Sequence, residues 1–241
     1  MGIFDFLGGS GPEKALKLKS KVTQKYGDPS TRQKALQQLG EMRIPEAVTV
    51  LLHRYTITVE PLTTDADEKE HVFELIKSFD KDAVAPVTEF LRKNEQATSW
   101  ALRILESLLP ESEVVTIVVD TLNSLSAQYM RDPEKKVVLL HFITGKQDPR
   151  IASVVLPHLD DMADEVKIAA LKALGSQKHE PAREPILRLL TSGDTARRVQ
   201  TAALGALHES GFGVQGYREK VEAVLNEPYY LDGGGLVQRR G

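Results

Sequence analysis

The sequence predicts an all-α chain, an α-solenoid of about six helical hairpins behind a capping helix. Three observations carry that expectation. Apolar side chains recur at helical rather than strand spacing. Ala-rich segments repeatedly end in Leu-Gly or its equivalent. The hairpin grammar itself recurs: the second-helix anchors Ala47, Ala83, Val115, Ala152, Ala182 and Tyr217 stand about 30–37 residues apart.

Residues 1–11 read as a flexible apolar N-terminus. Residues 12–27 read as a basic capping helix, with Ala15, Leu18, Val22 and Tyr26 on one stripe and Lys14, Lys17, Lys19, Lys21 and Lys25 around it. The array then runs over 28–227. Asp28-Pro29, Asp132-Pro133 and Asp148-Pro149 each pair an N-cap acid with a proline suited to the first helical turn. First helices are marked by Ala35, Leu36 and Leu39 before Gly40, by Leu139, Leu140 and Ile143 before Gly145, and by Val166, Ala169, Ala170, Ala173 and Leu174 before Gly175. Each glycine is expected just past the helix end. On the second helices Ala152 lines up with Leu156 and Leu159, and Ala182 with Ile186 and Leu189. The one strand-like run, Thr56–Pro61, lies in a long 56–66 connection, and residues 228–241 read as a flexible Gly-rich tail.

The segment Asp164–Gly193 resembles a HEAT repeat, especially the bacterial type named after phycobilisome lyases, through Asp164, Val166, Lys167, Ala169, Ala170, Ala173, Leu174 and Gly175. The resemblance is good over about two thirds of the chain and weakest over 65–127. It implies stacked hairpins with a shared core, because one hairpin cannot bury both its apolar stripes alone. It also implies that second helices line a concave face, where Thr49, His53, Glu89, Arg92, Asp120, Asn123, Arg188 and Glu222 would be available to a protein ligand. Of activity it says little.

Composition narrows the function classes. The chain has 241 residues, 31 basic against 34 acidic side chains, a net charge of −3 and no cysteine. Disulfides, thiolate metal sites and cysteine nucleophiles are excluded, and the charge balance argues against nucleic acid. HEAT-like alkylpurine DNA glycosylases use paired tryptophans, whereas Trp100 is single here and falls at a core-like position. His179-Glu180 and His208-Glu209 evoke the His-Glu ligand pairs of HEAT-repeat iron hydroxylases, but they follow the Leu-Gly position instead of opening the helix. They read as helix-end histidines. GFGVQG at 211–216 follows no strand, so it does not read as a nucleotide loop. No cofactor or metal is expected.

The expectation from sequence is therefore a non-catalytic, cytoplasmic interaction scaffold that binds a protein of unknown identity on its concave face. Two alternatives stand beside it. One is an enzyme or enzyme subunit of the bilin-lyase type. The other is attachment to a membrane surface through Ile3, Phe4, Phe6 and Leu7, next to the lysine-rich helix.

Overall fold

A computed structural model describes residues 10–125, 130 and 132–240. Among them are thirteen α-helices and one short β-hairpin, so the chain is all-α apart from its C-terminal end. The contacts divide it into two units, Met1–Val114 and Val115–Gly241. Within each unit, helical hairpins stack as in a HEAT-like solenoid.

In the first unit α1 (Gly11–Val22) caps the stack. Ser10 and Glu13 close a capping box at its start, and Ala15, Leu18 and Val22 are buried against α2 (Pro29–Met42) and α3 (Pro45–Leu52). Asp28 caps α2 by accepting from the Ser30 amide at 2.9 Å. The first helices α2, α4 (Leu62–Lys77) and α6 (Thr98–Leu108) pack in sequence, as do the second helices α3 and α5 (Val84–Lys93).

A buried ion network joins α2 to α4. Arg32 Nε and Nη2 reach the two carboxylate oxygens of Glu68 at 2.6 and 2.8 Å. Arg54, fully enclosed in the 3₁₀ turn after α3, donates to Glu68 at 2.9 Å and to Asp65 at 2.7 Å. Burial alone would raise the pKa of Asp65 and Glu68; the hydrogen bonds from Lys69 and Arg54 on the first, and from Arg32 and Arg54 on the second, lower both overall. The network also explains the 56–66 connection. Arg54 Nη1 donates to the Ile57 carbonyl and the Val59 amide donates to Asp65, so the strand-like run is a strap tied to α4, with no strand pairing. Beyond it, Trp100 stacks on Tyr55 with ring centroids 4.6 Å apart, and Arg103 lies over both Trp100 and Phe73 while gripping Glu70.

α7 (Glu111–Leu125) contains the division between the units. The second unit continues with α8 (Glu134–Ile143), α9 (Ile151–Val155), α10 (Asp164–Gln177), α11 (Arg183–Leu190), α12 (Arg197–Ser210) and α13 (Arg218–Val224). α8, α10 and α12 stack as first helices. Lys136 of α8 is buried and pairs with Asp161 at 2.7 Å. α10 and α12 meet through small residues: Ala169, Ala170, Ala173, Ala203 and Ala206 are buried, and leucines 171, 174, 204 and 207 fill the space around them.

Two expectations are corrected here. Gly40 and Gly175 lie inside helices that continue to Met42 and Gln177, and the left-handed residues past the ends are Arg43 and Lys178. These glycines serve close approach: a Cβ on Gly175 would stand 3.1 Å from the Ala206 Cα, and one on Gly40 would stand 2.7 Å from a Leu75 methyl. Only Gly145 behaves as expected, with φ +77 after α8. The Gly-rich tail is also not loose. Strands β1 (Tyr229–Leu231) and β2 (Val237–Arg239) pair antiparallel, and β2 packs on α12. His208 Nδ1 donates to the Val237 carbonyl at 3.0 Å, a direction fixed because a carbonyl can only accept.

Candidate functional site

The eight residues expected on the second-helix face fall four to each unit. In the first, Thr49 bonds back to the Pro45 carbonyl of its own helix, and Glu89 pairs with Lys93 one turn on. His53 is half-buried, edge-on to Phe90, and burial together with nearby Lys19 holds its pKa below the usual imidazole value. Arg92 is exposed at the end of α5. In the second unit Asp120 accepts from Arg150 at 3.0 Å, Glu222 accepts from Arg218 at 3.0 Å, and Asn123 is exposed. Arg188 is exposed on α11 and differs from the rest in lining a cavity. The proposed membrane contacts Ile3, Phe4, Phe6 and Leu7 lie outside the described residues.

That cavity, about 500 Å³, opens between the 3₁₀ turn Leu156–Asp160 and α11. Leu156, Leu159 and Leu189 supply apolar surface, Pro157 and Pro185 form shoulders, and Asp160, Arg188 and Ser192 supply polar groups. The residues repeat at helical spacing: 156, 159 and 160 on one side, 185, 188, 189 and 192 on the other. Sequence reasoning missed this stripe because Leu189 was assigned to the core. The structure puts Ile186, Leu187 and Leu190 there and leaves Leu189 half-exposed. Beneath the turn, His158 is completely enclosed. Burial, reinforced by Lys136, lowers its pKa, so it is held as neutral imidazole.

The His-Glu pairs do not converge on a shared site. His208 is occupied with Val237, while His179 precedes a 3₁₀ turn at Glu180–Ala182. Among the described residues no group of three or more His, Asp or Glu side chains is placed to hold a metal ion. Trp100 is engaged with Tyr55. The 211–216 loop is pinned by Arg183, whose Nε donates to the Gly213 carbonyl at 2.7 Å and whose Nη2 donates to the Gln215 carbonyl at 2.6 Å. No described helix is long and apolar enough to cross a membrane.

No family model matches the chain, and no curated protein does. Among solved structures it is similar to human deoxyhypusine hydroxylase in complex with glycerol, at 12% identity and TM-score 0.37, covering 89% of this chain and 95% of that one. It is also similar to an engineered protein, at 20% identity and TM-score 0.44, covering 82% of this chain and 96% of that one. Likenesses at this level concern the helical fold and transfer no activity. A stacked-helix fold serves enzymes as well as binding proteins, so the expectation of a non-catalytic scaffold is withdrawn.

Proposed function

We propose that the protein recognises a polypeptide, and that the second-helix face of the Val115–Gly241 unit carries the contact. The supporting observation is the cleft beside α11, where half-exposed leucines lie next to an acidic and a basic side chain. An apolar anchor in a pocket with a polar rim is the arrangement by which protein surfaces gain most of their binding energy. Asp120, Asn123 and Glu222 would extend that surface, and Thr49, His53, Glu89 and Arg92 would serve the other unit. Recognition of this sort suits a polypeptide substrate as well as a partner, so it carries no statement about catalysis. We assign the Asp164–Gly193 hairpin to the bacterial, phycobilisome-lyase type of repeat on its Ala-rich pattern. A cytoplasmic setting suits a chain without cysteine.

Peptide display against the full chain, followed by fluorescence anisotropy with selected peptides, tests the proposal. Arg188→Glu and Asp160→Lys, both at exposed positions, should each weaken binding about tenfold, or ~1.4 kcal/mol. Selected peptides that bind both variants as they bind the unaltered protein would place recognition elsewhere.

A further inference from the structure

Among the described residues, nothing packs on the outward face of α1. Its inward stripe, Ala15, Leu18 and Val22, is buried, and the remainder of the helix faces solvent. Five lysines, Lys14, Lys17, Lys19, Lys21 and Lys25, are concentrated between residues 10 and 26 against the single Glu13, in a chain whose net charge is −3. None of the five forms an ion pair with a described residue. The acids nearby are engaged or few: Glu13 accepts from the Ser10 amide, Asp28 caps α2, and Glu41, which shares a shallow groove with Lys14 and Lys17, accepts from Gln37.

Placement of the apolar side chains makes the face more than a cationic patch. Leu16 is 56% exposed although it sits in a well-formed helix, and Tyr26, just beyond the helix, is 86% exposed. At about 100° per residue, Leu16 points outward with Lys19 on one flank and Lys17 and Lys21 on the other. A leucine directed away from the core and flanked by long cationic stems is the pattern of a helix lying on a membrane surface. The leucine enters the headgroup boundary while the lysines extend to anionic lipid. As the cap of the stack, α1 packs its inner side against α2, α3 and the 3₁₀ turn after α3, and among the described residues its outer face stays exposed to a broad planar partner.

We propose that the outward face of α1 docks the protein on an anionic membrane surface. Attraction would come from Lys14, Lys17, Lys19 and Lys21 and shallow insertion from Leu16, with α1 parallel to the bilayer. The interaction is peripheral and reversible, and it weakens as salt shortens the range of the charges.

Vesicle cosedimentation of the full chain tests this, using phosphatidylcholine alone and phosphatidylcholine with phosphatidylserine at about 70:30. The protein should sediment with the mixed vesicles and not with phosphatidylcholine, and should be released by salt. The variant carrying Lys14→Glu, Lys17→Glu and Lys21→Glu should partition on the order of a hundredfold less. Leu16→Asp should also reduce partitioning, and, being outward-facing, both variants should keep the circular dichroism of the unaltered protein. If the triple variant proves unfolded, Leu16→Asp alone decides. Equal binding to both vesicle types, undiminished binding by a folded variant, or no vesicle binding alongside tight binding to soluble polyglutamate would each overturn the proposal.

Discussion

Between α2 and α4 the first unit is joined by Arg32, Arg54, Asp65 and Glu68, four ionised side chains shut away from water. Between α10 and α12 the second unit is joined by alanines and Gly175, close enough that one added carbon meets the facing backbone. Both joints position consecutive first helices, and they do so by different physics. The ionic joint is directional: each guanidinium proton must meet an oxygen, so one helix register satisfies it. Its net contribution to stability is small relative to an apolar replacement, because the charges lost their hydration on burial. The small-residue joint is non-directional and gains from area and packing density.

The contrast is open to attack by mutation. The largest effect is expected at Arg54→Ala, which leaves Asp65 and Glu68 buried and under-compensated: about 3–5 kcal/mol in chemical denaturation. A loss below ~1 kcal/mol would mean that water reaches the network and that the joint is not ionic in the sense described. Next comes Leu174→Ala beside the small-residue joint, expected to cost about 2–5 kcal/mol. Gly175→Val follows, at about 1–3 kcal/mol, since the new side chain must displace Ala206. Were it neutral, the helices would have room that the 3.1 Å approach denies.

Acid should act in two steps, first on buried histidines and then on the ionic network. Asp65 and Glu68 have pKa values lowered in the folded state from 3.8 and 4.5, so their contribution is complete above those values and disappears as pH falls below them. His158 is lowered from 6.5, and its folded form resists the proton that the unfolded chain accepts. The second unit should therefore begin to lose stability as pH drops through about 6.5, and half-buried His53 gives the first unit a step of the same sign, both well before the ionic network is affected. Trp100, the single tryptophan, reports on the first unit by fluorescence, and circular dichroism reports on both. In His158→Leu the second unit's share of the upper step should vanish. An unchanged profile would show that His158 is not held neutral. The smallest effect is expected at Arg198→Ala: Arg198 bridges Asp164 and Glu165 at the solvent-exposed edge of α10 and α12, where the pair is screened, and the denaturation midpoint should hardly move.

How much of this was legible in the sequence follows from the range of the interactions. Helical spacing, N-cap acids and the stacking of Ala-rich helices are local or periodic, and Asp28, Ala169 and Ala173 carried them openly. The glycines were visible but misread. Gly175 after Leu174 has the same letters whether it ends a helix or admits a neighbouring one, and only the position of Ala206 decides. The ionic joint left almost no trace: Asp65 and Glu68 stand near a helix start, where acids are ordinary, while Arg32 lies 36 residues from Glu68 and Arg54 lies 14 away. The cleft beside α11 was obscured for a similar reason, since neither exposed nor buried leucine is labelled as such and Leu189 fits either stripe.

The closing hairpin has a practical side for those who handle the protein at the bench. Residues 228–240 invite trimming, yet Tyr229 rests over Gly205 and Val237 is shut against α12, with Asp232 accepting from the Leu236 amide and from Gln238 to hold the bend. Cutting at Pro228 would bare the flank of α12 and leave His208 without its acceptor. Affinity handles and fluorescent fusions are best placed outside residues 228–240, leaving the ribbon intact.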